Sequence, residues 1–185
     1  MYNCFKKVPG ITAFMLVFAL FALSSTEASA QLWFGGGLVF GSEVENLGLQ
    51  ANGHLVVNEE NKIRIGADIT YFFSDKASVE DLEVKTNIFA INVNGHYMLV
   101  DSDLLILYAL AGLNFGFVNV EVSGPASQFA EFFDTSDTEI GLNAGAGLEY
   151  TVPFGRIYGE VKYVLGGFDQ LVIGGGVRIP ISGGN

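Results

Sequence analysis

Cysteine is almost missing from this sequence. The single thiol, Cys4, lies close to the N-terminus, so no internal disulfide can form and a disulfide-stapled secreted scaffold is excluded. Positive charge is scarce, with nine Lys and Arg against twenty Asp and Glu and a net charge of −11. A polyanion binder needs a broad basic patch, and this chain cannot supply one. Nucleic acid is therefore excluded as a partner. Charged residues of both signs make up only 16% of the chain, whereas 50% is hydrophobic. That balance excludes an acidic disordered tail.

Long apolar runs are lacking too. The longest near the N-terminus, Ile11 to Leu23, falls short of the about 20 residues a membrane-spanning helix needs. It follows Lys6 and Lys7 and precedes Ala28-Ser29-Ala30. Basic flank, short apolar stretch and small-residue triplet together form the pattern of a cleavable secretory signal peptide. We expect residues 1–30 to be removed, leaving a single domain over 31–185. Cys4 would be lost with them, and it does not sit where a lipid-anchored N-terminus would need it.

Beyond residue 30, no segment sustains helical periodicity. Strict alternation recurs instead, the mark of strands with two unlike faces. From Glu139 to Tyr150, one face carries Ile140, Leu142, Ala144, Ala146, Leu148 and Tyr150. The other carries Glu139, Gly141, Asn143, Gly145, Gly147 and Glu149. Eight such strands are expected, at about 32–41, 47–57, 63–73, 86–99, 104–118, 139–150, 157–165 and 170–181. Their connections alternate in character. Asn58–Lys62, Val100–Asp103 and Thr151–Arg156 are short, while Ser42–Asn46, Ser74–Lys85, Asn119–Asp137 and Gly166–Asp169 lie at the other end and include the two longest.

Alternation alone also fits a soluble β-sandwich. There the apolar faces meet in a core and the polar faces carry many charges into water. The polar faces here hold mostly Gly, Asn, Gln, Thr and Tyr, and most acids fall in the loops. A lipid-facing band around a narrow packed interior accounts for this better, because a closed barrel pairs every backbone polar group. Aromatics near strand ends suit interfacial girdles: Trp33, Tyr97, Tyr150 and Phe154 at one rim, and Phe40, Tyr71, Phe73, Phe117 and Phe168 at the other. The fold expected is all-β: an eight-stranded antiparallel up-and-down transmembrane barrel.

Tyr108-Ala109-Leu110-Ala111-Gly112-Leu113-Asn114-Phe115-Gly116, Gly145-Ala146-Gly147-Leu148-Glu149-Tyr150 and Tyr158-Gly159-Glu160-Val161-Lys162-Tyr163 carry a resemblance. Over 31–185 the chain resembles the small eight-stranded outer-membrane barrels of the OmpA/OmpX type. The resemblance implies residence in the outer membrane of a Gram-negative bacterium, among its lipid and lipopolysaccharide. It also implies dependence on the barrel assembly machinery. One departure is that such barrels usually end on an aromatic residue, whereas here Val177-Arg178-Ile179-Pro180-Ile181 leads into Ser182-Gly183-Gly184-Asn185.

The expected lumen holds Arg64, Lys162 and Arg178 with Asp68, Glu139, Glu149 and Glu160, plus His54 and His96. Charges in so narrow a space are costly unless paired. Hairpin folding is expected to set Asn52 opposite Asp68 and His54 opposite Gly66, and to bring Glu160 near Arg178. A plug of mutually satisfied polar groups is the leading expectation. A narrow channel for ions or small solutes is the alternative, and a soluble periplasmic ligand-binding barrel comes third.

No enzyme is expected. The two histidines lie on different strands with no further ligand at metal spacing, and no G-x-S-x-G motif occurs. Gly35-Gly36-Gly37 and Gly174-Gly175-Gly176 lack the Lys-Ser/Thr of a phosphate loop; they suit close packing and curvature. Asp101-Ser102-Asp103 reads as a tight turn. No cofactor or metal is expected. In the second long loop, Phe129, Phe132 and Phe133 among acidic residues form the expected contact for a surface ligand that the sequence does not identify.

Overall fold

A computed structural model describes residues 32–58, 62–79, 82–123, 136–166 and 169–181; side chains are considered except at 58, 74–86 and 119–137. Expectations for the leader 1–30, for Phe168 and for Phe129, Phe132 and Phe133 lie outside the described residues. Eight strands follow in chain order: β1 (Leu32–Gly41), β2 (Asn46–Asn58), β3 (Ile63–Val79), β4 (Leu82–Asp101), β5 (Leu105–Ser123), β6 (Ser136–Val152), β7 (Gly155–Leu165) and β8 (Gln170–Ile181). Each pairs antiparallel with the next, and β1 pairs with β8, so the sheet closes on itself. Closure leaves no unpaired edge around the wall.

The register fixes the bore. Hydrogen-bonded partners run from Leu32 through Leu55, Ile65, Gly95, Ala111, Ala144, Tyr163 and Leu171 back to β1 at Ser42, ten residues past the start. Such a stagger tilts the strands by about 40° and leaves an interior that side chains fill. β8 pairs with β1 from Val172–Gly41 to Ile181–Leu32, so the last strand is in register without a terminal aromatic residue. The two glycine triplets meet in this seam, Gly37 against Gly176. A Cβ on Gly37 would strike the backbone of Gly175, and one on Gly176 the backbone of Gly36.

The strands divide the residues as the alternation predicts. Ile140, Leu142, Leu38 and Leu49 are over half exposed, whereas Asn143, Asn92 and Glu149 on the opposite face are buried. Outward side chains are large near both ends of the wall and small between. Register and stagger place Gly36, Gly53, Ala67, Gly95, Ala109, Ala146, Gly159 and Gly175 at about one height. The barrel thus has a continuous waist of Gly and Ala.

Several boundaries differ from the sequence reading. Of the segments expected as loops, 74–79 and 82–85 are strand, as are 119–123 and 136–137. β3 and β4 stay paired to Val79–Leu82, β4 and β5 to Glu83–Ser123, and β5 and β6 to Asn119–Ser136. Alternation is weak in Ser74–Val79, whereas Leu82-Glu83-Val84-Lys85 and Val118-Asn119-Val120-Glu121-Val122 do alternate; their acids read as loop, and the apolar positions change parity after Phe117, while the backbone ladder continues. At the opposite end the expected turn 151–156 shrinks to Pro153-Phe154, and Arg156 becomes part of β7. β4 runs to Asp101, and the next turn is closed by Ser102, whose Oγ accepts from Leu105 N at 3.1 Å and donates to its carbonyl at 2.8 Å.

Trp33 is a further correction. It was expected on an aromatic rim, but it is buried and stacked 6.1 Å from His54 inside the barrel. Period two explains this: outward Phe34 and Leu32 flank Trp33, so its side chain must point inward. Tyr97, Tyr150 and Phe154 do face outward at the turn end, as do Phe40, Tyr71 and Phe73 toward the loop end.

Candidate functional site: a filled lumen

The inward faces of all eight strands meet along the barrel axis. Nearest the short turns, Glu149 of β6 is fully buried among three guanidinium groups. Its Oε1 accepts from Arg64 Nη2 at 2.5 Å and from Arg178 Nη1, and its Oε2 accepts from Arg156 Nη1 at 3.3 Å. These partners come from β3, β8 and β7, so one carboxylate ties four strands together. Isolated, such a carboxylate would be strongly unfavourable in this environment; ringed by donors, it is compensated.

Two of the guanidinium groups are held by further partners, whereas Arg156 Nε is buried without one among the described residues. Arg64 Nε donates to His96 Nδ1 at 3.0 Å, and Arg64 Nη1 lies 3.4 Å from His54 Nε2. Arg64 also sits 4.4 Å over the Tyr108 ring, on which His96 stacks at 4.7 Å. Arg178 Nε donates to Asn52 Oδ1 at 2.9 Å, and its guanidinium lies 3.9 Å over Tyr158. The Tyr108 hydroxyl donates to Glu160 at 2.9 Å. Arg156 lies 3.9 Å over Trp33. Flat cations against aromatic faces lose little when dehydrated.

A second cluster sits at mid-height. Asp68 accepts from Asn92 at 2.7 Å, Thr70 at 3.2 Å and Asn94 at 3.4 Å, and pairs with Lys162 at 3.1 Å. Asn92 Oδ1 in turn accepts from Asn114 at 2.7 Å and Asn143 at 2.9 Å. Carboxamides suit this place because each both donates and accepts, so a ring of them can propagate around the bore. Glycine makes the room: Gly147 faces the Tyr108 ring, and a Cβ there would collide with it.

Apolar groups adjoin both polar clusters. At the loop end, Val39, Phe72, Val164 and Val172 are buried together, with Val44 and Ile88 packed against them. Near the turns, Met98, Ile106 and Leu110 pack with Tyr108. A residual cavity among the described residues of the lumen is about 10 Å³, bordered by Gln50, Asn52, His54, Asp68, His96, Glu160 and Arg178. That is room for about one water molecule.

The structure brings together Arg64, Glu149, Arg178, Glu160, His54 and His96 in the lower cluster, and Asp68 with Lys162 in the middle one. Asn52 stands opposite Asp68 and His54 opposite Gly66. Glu160 pairs in register with Gly174, and it is the length of Arg178 that brings its Nη2 within 3.7 Å. Glu139 stays apart, with Oε2 buried and unpartnered. Sequence reasoning did not single out Arg156, Tyr108, Tyr158 or the asparagine ring as members of the site, nor the apolar layers. Parity was the available signal: Phe72 follows Asp68 and Thr70 on one face, and Val164 follows Glu160 and Lys162. Among the described residues, no group of three His, Cys, Asp or Glu is placed to hold a metal.

No family model matches the chain, and no curated protein matches its sequence. Solved structures match its shape. A major outer membrane protein from Thermus thermophilus superposes with a TM-score of 0.63 at 9% identity, covering 83% of this chain and 100% of that one. Neisserial surface protein A gives 0.59 at 16% identity, with 82% and 97% covered. The N-terminal barrel domain of Pseudomonas aeruginosa OprF gives 0.53 at 14% identity, again with 82% and 97% covered. The chain has the fold of these small eight-stranded barrels.

Proposed function

We propose that this chain is an exported outer-membrane barrel whose lumen is plugged, and that it serves the envelope as a structural or surface-interacting element. It performs no chemistry in this reading. One observation carries it: the molecule is inside-out. Leu, Ile, Val, Phe and Tyr cover the outside of the wall, while Arg64, Lys162, Arg178, Asp68 and Glu149 are buried within. Water would reverse that distribution, and hydrocarbon favours it. The solved barrels of like shape, described as outer-membrane or surface proteins, support the same location.

In this reading residues 1–30 direct export and are removed, and the barrel assembly machinery inserts the rest. The turn end, with both termini of the wall, faces the periplasm; the extended β3–β6 end faces outward among lipopolysaccharide. Phe129, Phe132 and Phe133 are the proposed contact for a surface ligand. The test combines fractionation with planar-bilayer recording. Recovery in the outer membrane, with faster gel migration before boiling than after, and no steady conductance is the expected result. Recovery in the soluble periplasm would overturn the location, and large reproducible openings would overturn the plug.

A further inference from the structure

We infer that the barrier to water at the loop end of the lumen is the apolar collar of Val39, Phe72, Val164 and Val172, and that the charged network below serves pairing and register rather than closure. This rests on the plugged-barrel reading and divides its labour.

The collar occupies positions where continued polarity would be expected. On β3 the inward face runs Arg64, Asp68, Thr70 and then Phe72. On β7 it runs Lys162 and then Val164. Counted from the Gly and Ala waist, Val39 and Val172 stand three residues toward the loops on neighbouring β1 and β8, Phe72 and Val164 stand five on facing β3 and β7, and the four side chains are 1–5% exposed. Their seats are glycines. A Cβ on Gly41 would come within 2.6 Å of Gln170 Oε1 and 2.9 Å of the Phe72 ring, and one on Gly48 within 3.1 Å of that ring. A Cβ on Gly174 would lie 2.7 Å from Val39, and one on Gly141 3.0 Å from Val164. Side chains seated so tightly leave no room for a water file. An apolar narrowing offers water no hydrogen bonds and excludes ions by dewetting. Below Phe72 and Val164, Gln50, Thr70 and Asp68 are polar and border or adjoin the one-water space, so without the collar they would hydrate.

The test is thiol access beneath Phe72 and Val164, the upper pair of the collar. Thr70 lies two residues from Phe72 on the same face, about 7 Å along the strand, and Gln50 is its register partner on β2. Thr70→Cys and, separately, Gln50→Cys are placed in a Cys4→Ser background. Each folded protein in detergent micelles is reacted with a water-soluble charged thiol reagent. The collar is then opened with Phe72→Ala, or hydrated at nearly constant shape with Val164→Thr plus Val172→Thr. Within each cysteine background the collar substitutions leave the charged network unaltered, so a difference in rate between them reports the collar.

Slow labelling with the collar intact, rising about tenfold or more when it is opened or hydrated, is the expected result. Equally fast labelling with the collar intact would overturn the inference, as would slow labelling both before and after its removal. Heat-modifiable migration of each variant shows that the barrel has folded, and outer-membrane fractionation tests the underlying reading independently of the labelling rates.

Discussion

Glu149 shows how much one residue can hold. It is fully buried and accepts hydrogen bonds from Arg64, Arg156 and Arg178, each on a different strand. Glu149→Gln keeps the shape but leaves buried guanidinium groups uncompensated. The expected loss is about 3–5 kcal/mol of unfolding free energy, read from reversible urea unfolding in lipid vesicles. Glycines give a sharper contrast, because neighbouring ones face opposite ways. Gly147 points at Tyr108, and Gly159 has nothing within 4 Å of its would-be Cβ. Gly147→Ala should destabilise by about 1–3 kcal/mol through overpacking. Gly159→Ala should stabilise by about 0.5–1 kcal/mol by restricting the unfolded chain. The same unfolding measurement ranks all three variants. Trp33 offers an optical check. It is the only tryptophan and lies inside, stacked on His54. Bromine atoms on lipid chains should leave its fluorescence nearly unquenched although the protein is embedded; strong quenching would put the indole back on the rim.

At the scale of the strand, period two carried most of the information. Six consecutive apolar positions from Ile140 to Tyr150, interleaved with polar or glycine positions, identify β6 because each face meets a different medium. β1 and β8 have the expected boundaries, since apolar–polar contrast persists to both ends. Beyond Phe73 the contrast fades, and after Phe117 the apolar positions change parity, to Val118, Val120 and Val122 among polar and acidic neighbours, so the ladder continues where the sequence reads as loop. A different failure placed Arg156 in a turn: Pro153 and Phe154 read as loop, and the hairpin tightened around just those two residues. The lower network was half legible, because its charges stood out against polar faces while their partners did not. Register settles neighbours across one hairpin, as for Asn52 and Asp68. It says nothing about side chains that cross the bore, and Arg64 to Glu149 is such a pair. The apolar collar escaped notice for the opposite reason, since Val and Phe on a strand ordinarily read as the outward face. Only strict parity from Thr70 to Phe72 and from Lys162 to Val164 separates them.

The described barrel is a closed wall whose two surfaces have exchanged their usual roles. A stagger of ten residues over eight strands sets a bore that Arg, Tyr and Asn fill against facing glycines. Outside, large apolar residues border a Gly and Ala waist, so the barrel is narrowest where acyl chains end. All of this presumes that hydrocarbon surrounds the wall. Spin labels placed singly at Leu142, Asn143, Ala144 and Leu148 of β6, with the chain reconstituted in lipid, test that most directly. Collision with dissolved oxygen, which concentrates in lipid, should be high at Leu142, Ala144 and Leu148 and low at Asn143. A water-soluble nickel complex should reach none of the outward sites. Strong collision with the nickel complex at Leu142 and Leu148 would contradict the account.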